Sequence, residues 1–169
     1  VNQFTQVPSV ESMSFSEDAA YVHYTDNETI HGVEFTHLPP TQKPLVSDMT
    51  SNILTKSIDF SRYGLVYASA QKNLGIAGIT VVIVRKDLLG KAHAYTPPTL
   101  NYDLCYQQHS MYNTPPVFSW YVLGLVLDWT KAEGGCEAFA KEAKEKSSLL
   151  YNVIDSSDFY TNPVAVDAR

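Results

Sequence analysis

A basic surplus is missing from this sequence. Across 169 residues, 12 Lys and Arg stand against 18 Asp and Glu, for a formal net charge of -6. Nucleic acids and anionic membrane surfaces both demand a positive face, so neither is expected as a main partner. Cysteine is scarce as well. Cys105 and Cys136 share no metal or redox spacing, so reduced thiols and a cytoplasmic setting are expected. Long apolar runs are absent. Val117 to Leu127 comes nearest, but Ser119 and Gly124 interrupt it and it is too short to span a bilayer. No signal-like segment opens the chain. The start carries no methionine and the end, "NPVAVDAR", stops just past what reads as the beginning of another element, so a fragment of a longer protein is expected. The histidines His23, His31, His37, His93 and His109 lack ligand spacing, which argues against a metal site. Asn27-Glu28-Thr29 fits a glycosylation acceptor, a chance match without a secretory signal.

What is present suits a globular α/β chain: 44% hydrophobic and 18% charged residues. "AAYVHYT" alternates and is rich in β-formers, which predicts a strand over Ala19 to Thr25. "DNETIHG" reads as a polar loop. In "VEFTHLPPTQKP" the prolines allow no more than a short edge strand. "PLVSDMTSN" predicts a strand ending at Ser47-Asp48, "LVYASA" a third and "ITVVIVR" a fourth. Runs this apolar suit a sheet covered on both faces. Strand ends near Thr25, Asp48 and Lys72 are spaced by about a βα unit, and ligand groups collect at such carboxyl ends in open sheets. Further on, "NTPPVFSWYVLGLVLDWTKAEGG" predicts a helix with Thr114 as N-cap, Pro115 at its first position and Gly134-Gly135 as its stop. It is apolar nearly all round, so burial is expected, between subunits or domains. "CEAFAKEAKEKSSLLYNVID" predicts a second helix with Phe139, Ala143, Leu150, Val153 and Ile154 on its apolar face; the interleaved Lys and Glu form a solvated face.

Lys72 carries the chemical interest. An amine beside apolar strands is desolvated, which lowers its pKa and makes it a better nucleophile toward carbonyls. A lone lysine at a strand end more often snorkels to water, and the surrounding string shifts that balance. "ASAQKNLGIAGITVVIVRKDLLGKA" resembles the cofactor-lysine segment of phosphoserine aminotransferases, fold-type-I enzymes of class V that use pyridoxal phosphate. Gln71, Lys72, Asn73, Gly75, Ala77 and Gly78 match that segment, while Ile76 stands where many members have proline. "AYVHYTDNETIHGVEF", "LVSDMTSNILTKSIDFSRYG" and "SMYNTPPVFSWYVLGLVLDW" resemble further family segments in the same order, and "LLYNVIDSSDFYTNPV" resembles the linker into the small domain.

The resemblance implies a fold and a set of roles. The fold is α/β: a mostly parallel sheet of the fold-type-I large domain with helices, leading into a smaller C-terminal α/β domain. Residues 1–115 would be the later part of the cofactor-binding domain, 116–154 linker helices and 155–169 the start of the small domain. Lys72 would hold pyridoxal 5'-phosphate as a Schiff base and shuttle the substrate proton. Asp48 would keep the pyridine nitrogen protonated, Thr29 would bond the phenolic oxygen, and Gln71, Asn113 and Thr114 would bind phosphate, the last two across a homodimer interface. The implied partners are small amino and keto acids: glutamate and 3-phosphohydroxypyruvate, giving phosphoserine and 2-oxoglutarate, with a related step in pyridoxine synthesis. The family's ring-stacking aromatic and glycine-rich phosphate turn lie before Val1. Arg62, Arg85 and Arg169 match no substrate-binding segment and read as structural or surface residues. Another class-V enzyme, or an inert α/β fragment, fits the same residues. A nucleotide-binding module fits less well, because an apolar strand rather than a helix follows "NLGIAG".

Overall fold

The computed structural model describes residues 4–169. Its centre is a sheet of β1 (Val22–Thr25), β4 (Leu45–Asp48), β5 (Tyr63–Ser69) and β6 (Thr80–Val84), in the spatial order β1-β4-β5-β6. Adjacent strands run parallel from β1 to β5, while β6 returns antiparallel beside β5. Between β1 and β4 lies a small antiparallel pair, β2 (Asn27–Glu28) with β3 (Val33–Glu34). The short edge strand expected from "VEFTHLPP" is therefore present, and it pairs with residues read as loop.

The parallel strands are joined without crossover helices, contrary to the spacing argument. Turns and a 3-10 turn at Phe60–Arg62 carry the chain from β4 to β5. Pro39, Pro40 and Pro44 deny the β3–β4 connection a helix, since each lacks the backbone donor a helix interior needs.

Strand alternation divides the sheet into two unlike faces. Tyr24, Leu45, Val66 and Ala68 point into a core shared with Met49, Ile53, Ala70 and Leu74. Burying an aliphatic side chain of this size contributes about 1.5–3 kcal/mol. The opposite face presents His23, Thr25, Val46, Asp48, Leu65 and Tyr67, none of them buried within this chain. The expectation of a sheet covered on both sides is thus met on one side only.

A polar cluster ties the chain together behind β1. Asp26, 3% exposed, receives the Lys56 ammonium at 2.8 Å and the Asn52 amide. Lys56 also reaches Glu34 at 2.7 Å. Burial pulls the Lys56 pKa down, but hydrogen bonds and charge from the two carboxylates outweigh it and leave the ammonium above its ordinary value. Its stabilisation is full below the unfolded lysine value of about 10.4 and is lost as pH rises through the higher folded one. Lys56→Met leaves Asp26 buried without its cation. The expected loss is about 2–3 kcal/mol in denaturant unfolding, larger than for any exposed ion pair on α3.

The second half is helical. α1 (Tyr102–Gln107), not anticipated from the sequence, starts at Asn101, whose side chain accepts from the amides of Asp103 and Leu104. α2 (Val117–Ala132) and α3 (Gly135–Asp155) follow. Thr114 is not the cap of α2: the helix begins at Val117, with Pro116 at the N-cap position and no side-chain cap. Tandem prolines explain the shift, because the residue before each proline is driven out of the α region. Gly134, at φ 99°, and Gly135, at φ 73°, make the turn into α3, as expected. There Trp129 meets Phe139 edge-on at 5.0 Å.

Burial of α2 is not achieved within this chain. Phe118 is 71% and Tyr121 62% exposed, and Trp120, Leu125 and Trp129 are also exposed. On α3, Phe139, Ala143 and Ile154 are half-buried, whereas Leu150 and Val153 stay exposed. The final residues fold back on β3: Val164 and Ala168 cluster with Val33, and the Ala165 amide donates to the Thr5 carbonyl at 2.7 Å. Among the described residues, no helix is long and apolar enough to cross a membrane.

Candidate functional site

In-register pairing brings three strand ends together. Thr25 stands opposite Asp48, and Asp48 opposite Tyr67. The ladder runs on past the strands, with the Asp26 amide donating to the Asp48 carbonyl and the Met49 amide to the Tyr67 carbonyl, both at 2.9 Å. The loops leaving β1, β4 and β5 therefore emerge side by side at the carboxyl edge of the parallel strands. They carry Thr29, Asp48 and Lys72.

Lys72 lies in the turn between β5 and β6. Its Nζ donates to the Thr29 hydroxyl at 2.8 Å, across 43 residues of sequence. The side chain is exposed, so the expected desolvation by neighbouring strands is not supplied by this chain. The reason is geometric: β5 ends at Ser69 and the turn lifts Lys72 clear of the apolar run. Asp48, half-buried on the open face, accepts the Thr50 amide on Oδ1 at 2.8 Å. Thr50 in turn accepts the Ser69 amide at 3.2 Å, fastening the end of β5 to the loop after β4.

The lysine turn is held from beneath and from the side. Leu74 anchors it in the core, and the Ala70 amide closes it on the Ile79 carbonyl at 2.9 Å. On the other flank, the buried Ser119 of α2 donates to the Ala77 carbonyl at 2.9 Å. Gly78 adopts φ 116°, and a Cβ there would lie 2.9 Å from Ser119 Oγ. Gly78→Ala meets both the backbone strain and that clash. The expected result is a loss of about 2 kcal/mol in equilibrium unfolding, relieved in part by pairing it with Ser119→Gly.

Two residues on the open face escaped sequence reasoning. Tyr67 is the register partner of Asp48, and its hydroxyl lies 3.1 Å from His23 Nε2, the two rings stacked with an interplanar angle of 19°. Burial, followed by the nearby Asp48 charge, pushes the Tyr67 phenol above its ordinary value. The period-2 alternation of the strands carried this signal, since Asp48 and Tyr67 share a face once their register is known. Asn27, Ser51 and Asn73 were likewise given no role, although they interlock the three loops.

The remaining sequence-derived candidates make no side-chain hydrogen bond to Lys72, Asp48 or Thr29. Gln71 is exposed beside Lys72. Asn113 and Thr114 are exposed on the segment before α2. The arginines hold local structure or surface: Arg85 pairs with Asp87, and Arg169 with Asp155 at 2.6 Å and with the Val164 carbonyl.

The strand ends of this open, mostly parallel sheet and the loops leaving them thus carry an amine, a carboxylate and a hydroxyl: Lys72, Asp48 and Thr29. The chain belongs to the class-V aminotransferase family, matching it over residues 3–169. Among curated proteins, the phosphoserine aminotransferase of Azotobacter vinelandii is 54% identical over 164 residues, covering 96% of this chain and 45% of the relative. That of Pseudomonas aeruginosa is 51% identical with the same coverage. The chain thus spans about half the length of the curated relatives it matches. Among solved structures, phosphoserine aminotransferase from Bacillus circulans subsp. alkalophilus superposes with a TM-score of 0.93 at 43% identity, over 98% of this chain and 46% of that one. A pyridoxal phosphate-bound phosphoserine aminotransferase from Trichomonas vaginalis has a TM-score of 0.93 at 40% identity, over 98% and 46%.

Proposed function

We propose that this chain is the later part of a phosphoserine aminotransferase that uses pyridoxal phosphate to move an amino group between glutamate and 3-phosphohydroxypyruvate. The observation that carries the reading is the Lys72–Thr29 contact at a strand-end cluster that also holds Asp48. The similarity to phosphoserine aminotransferases at about half identity supports the substrate.

The donor set fits the cofactor. Bound pyridoxal phosphate supplies an aldehyde that condenses with primary amines and a ring that draws electrons from a substrate α-carbon. Lys72 would offer the amine for its attachment, and the same amine, once freed, would take and return a proton at that carbon. The Asp48 carboxylate keeps a proton on the ring nitrogen by a charge-assisted bond. Its Oδ1 is held by the Thr50 amide, so the carboxylate is oriented before anything binds. The Thr29 hydroxyl, already touching Lys72 Nζ, is the partner for the ring's phenolic oxygen. Gln71, Asn113 and Thr114 are the phosphate donors, with Asn113 and Thr114 serving a second subunit. Their exposure, beside the uncovered apolar surface of α2, supports a homodimer.

The wider reading rests on the family resemblance. Residues 1–115 belong to the cofactor domain, 116–154 to linker helices and 155–169 to the beginning of the small domain. The enzyme acts in serine synthesis, with a related step in pyridoxine synthesis, in the cytoplasm, where Cys105 and Cys136 remain free thiols. The test is to incubate the full-length protein with pyridoxal phosphate, reduce with borohydride and map the labelled peptide. The expected adduct is on Lys72; a label on any other lysine overturns the assignment.

A further inference from the structure

Placement of the lysine depends on side chains to which the cofactor reading assigns nothing. Asn73 follows Lys72 directly, and its amide nitrogen donates to two main-chain carbonyls of the loop after β4: Ser51 at 3.1 Å and Ile53 at 3.0 Å. Ser51 is bound on its other side to the loop after β1. The Asn27 amide donates to Ser51 Oγ at 2.9 Å, and that hydroxyl donates back to the Asn27 carbonyl at 2.9 Å. Asn27 lies two residues before Thr29, and Ser51 three residues after Asp48. One half-buried joint therefore connects the loops that carry Thr29, Asp48 and Lys72.

The composition of this joint suits precision better than bulk stability. A primary amide carries two N–H donors on a short, stiff side chain, so Asn73 can hold two carbonyls at once. The loop it grips needs such support: Leu54, one residue past the second carbonyl, sits at φ 68°, a conformation unfavourable for a branched side chain. Aspartate at position 73 would match the size of asparagine but could not donate. None of the three joint residues bonds Lys72 Nζ, Asp48 or the Thr29 hydroxyl directly, so whatever they contribute acts through the backbone.

We propose that Asn73, with Ser51 and Asn27, forms a positioning joint that sets the Lys72 amine relative to the Asp48 carboxylate and the Thr29 hydroxyl. The proposal rests on the pyridoxal phosphate reading of the site. It goes beyond a plain folding role, because the joint ties three functional loops together by side-chain hydrogen bonds in addition to the core packing of Met49, Ile53 and Leu74.

The test uses the full-length holoenzyme and the variants Asn73→Ala, Asn73→Asp, Ser51→Ala and Ser51→Thr. Measured are the dissociation constant of pyridoxal phosphate, the visible circular dichroism per bound cofactor, the thermal midpoint of the cofactor-free protein and the borohydride-labelled site. Loss of two hydrogen bonds predicts about a tenfold weaker cofactor affinity for Asn73→Ala, with altered dichroism while Lys72 remains the labelled residue. Asn73→Asp is weaker still, Ser51→Ala resembles Asn73→Ala, and Ser51→Thr, which keeps the hydroxyl, stays near wild type. Wild-type affinity and dichroism in the alanine variants, or a change confined to the thermal midpoint, overturns the joint while leaving the cofactor reading standing. If wild-type protein itself carries no label on Lys72, the cofactor reading fails and the joint's purpose fails with it. Should Asn73→Asp not fold, the Ser51→Ala and Ser51→Thr pair decides the matter alone.

Discussion

Lys72→Ala in the full-length protein gives a folded, colourless enzyme whose transamination falls by about a thousandfold or more. The fold survives because Lys72 contributes little to it. The side chain is exposed and bonds the Thr29 hydroxyl at the rim, while the turn is fastened by Leu74, Asn73 and the Ala70–Ile79 closure. Chemistry does not survive, because the proposed attachment point is gone and the lysine on the neighbouring loop is engaged elsewhere. Lys56, also on the loop after β4, is committed to Asp26 and Glu34, and withdrawing it would strand a buried carboxylate. Absorbance of the purified protein, borohydride labelling and steady-state assays with glutamate and a phosphorylated keto acid give three independent readings. A coloured Lys72→Ala protein, labelled elsewhere, contradicts the site.

Asp48→Asn separates charge from shape. The amide oxygen can still accept from Thr50, so the loop after β4 keeps its form and stability changes little. In the proposed reading, the lost negative charge removes the group that would hold a proton on the pyridine ring. Removing one preorganised electrostatic partner of this kind costs about a hundred- to a thousandfold in kcat. Labelling of Lys72 persists, since the amine does not depend on that carboxylate for attachment. The two substitutions should therefore divide cleanly: one abolishes attachment and turnover together, the other turnover alone. Activity of Asp48→Asn within tenfold of wild type would count against the ring-nitrogen role. Tyr67, which shares the open face with Asp48 and meets His23, remains in place in both variants.

Much of the site was legible because its signals are local. Gly75 and Gly78 hold positive φ within a run that also carries Lys72, and a turn of that kind announces itself in one short string. The apolar, β-branched segments that became β4, β5 and β6 were equally plain. The Tyr67–His23 pair and the Asn73 joint were not, because each links residues whose proximity depends on strand register. A shift of one residue in the β4–β5 pairing would have put Tyr67 on the core face instead. The misplaced start of α2 has a local cause that was read too narrowly: Pro115 alone suits a first helical turn, but Pro116 behind it forbids the turn from starting there.

By itself, the sequence determined the four strands of the main sheet and the two long helices, the lysine turn and its glycines, and the family resemblance that names Lys72, Asp48 and Thr29. These follow from local propensity, steric limits on φ and the identity of side chains. Tertiary structure alone decided that the strands connect without helices, that one sheet face and most of α2 stay uncovered in this chain, and that Lys72 meets Thr29 across 43 residues. Those outcomes depend on which distant segments pair and pack. Their free energies are shared among many groups far apart in sequence, so no short window of residues contains them.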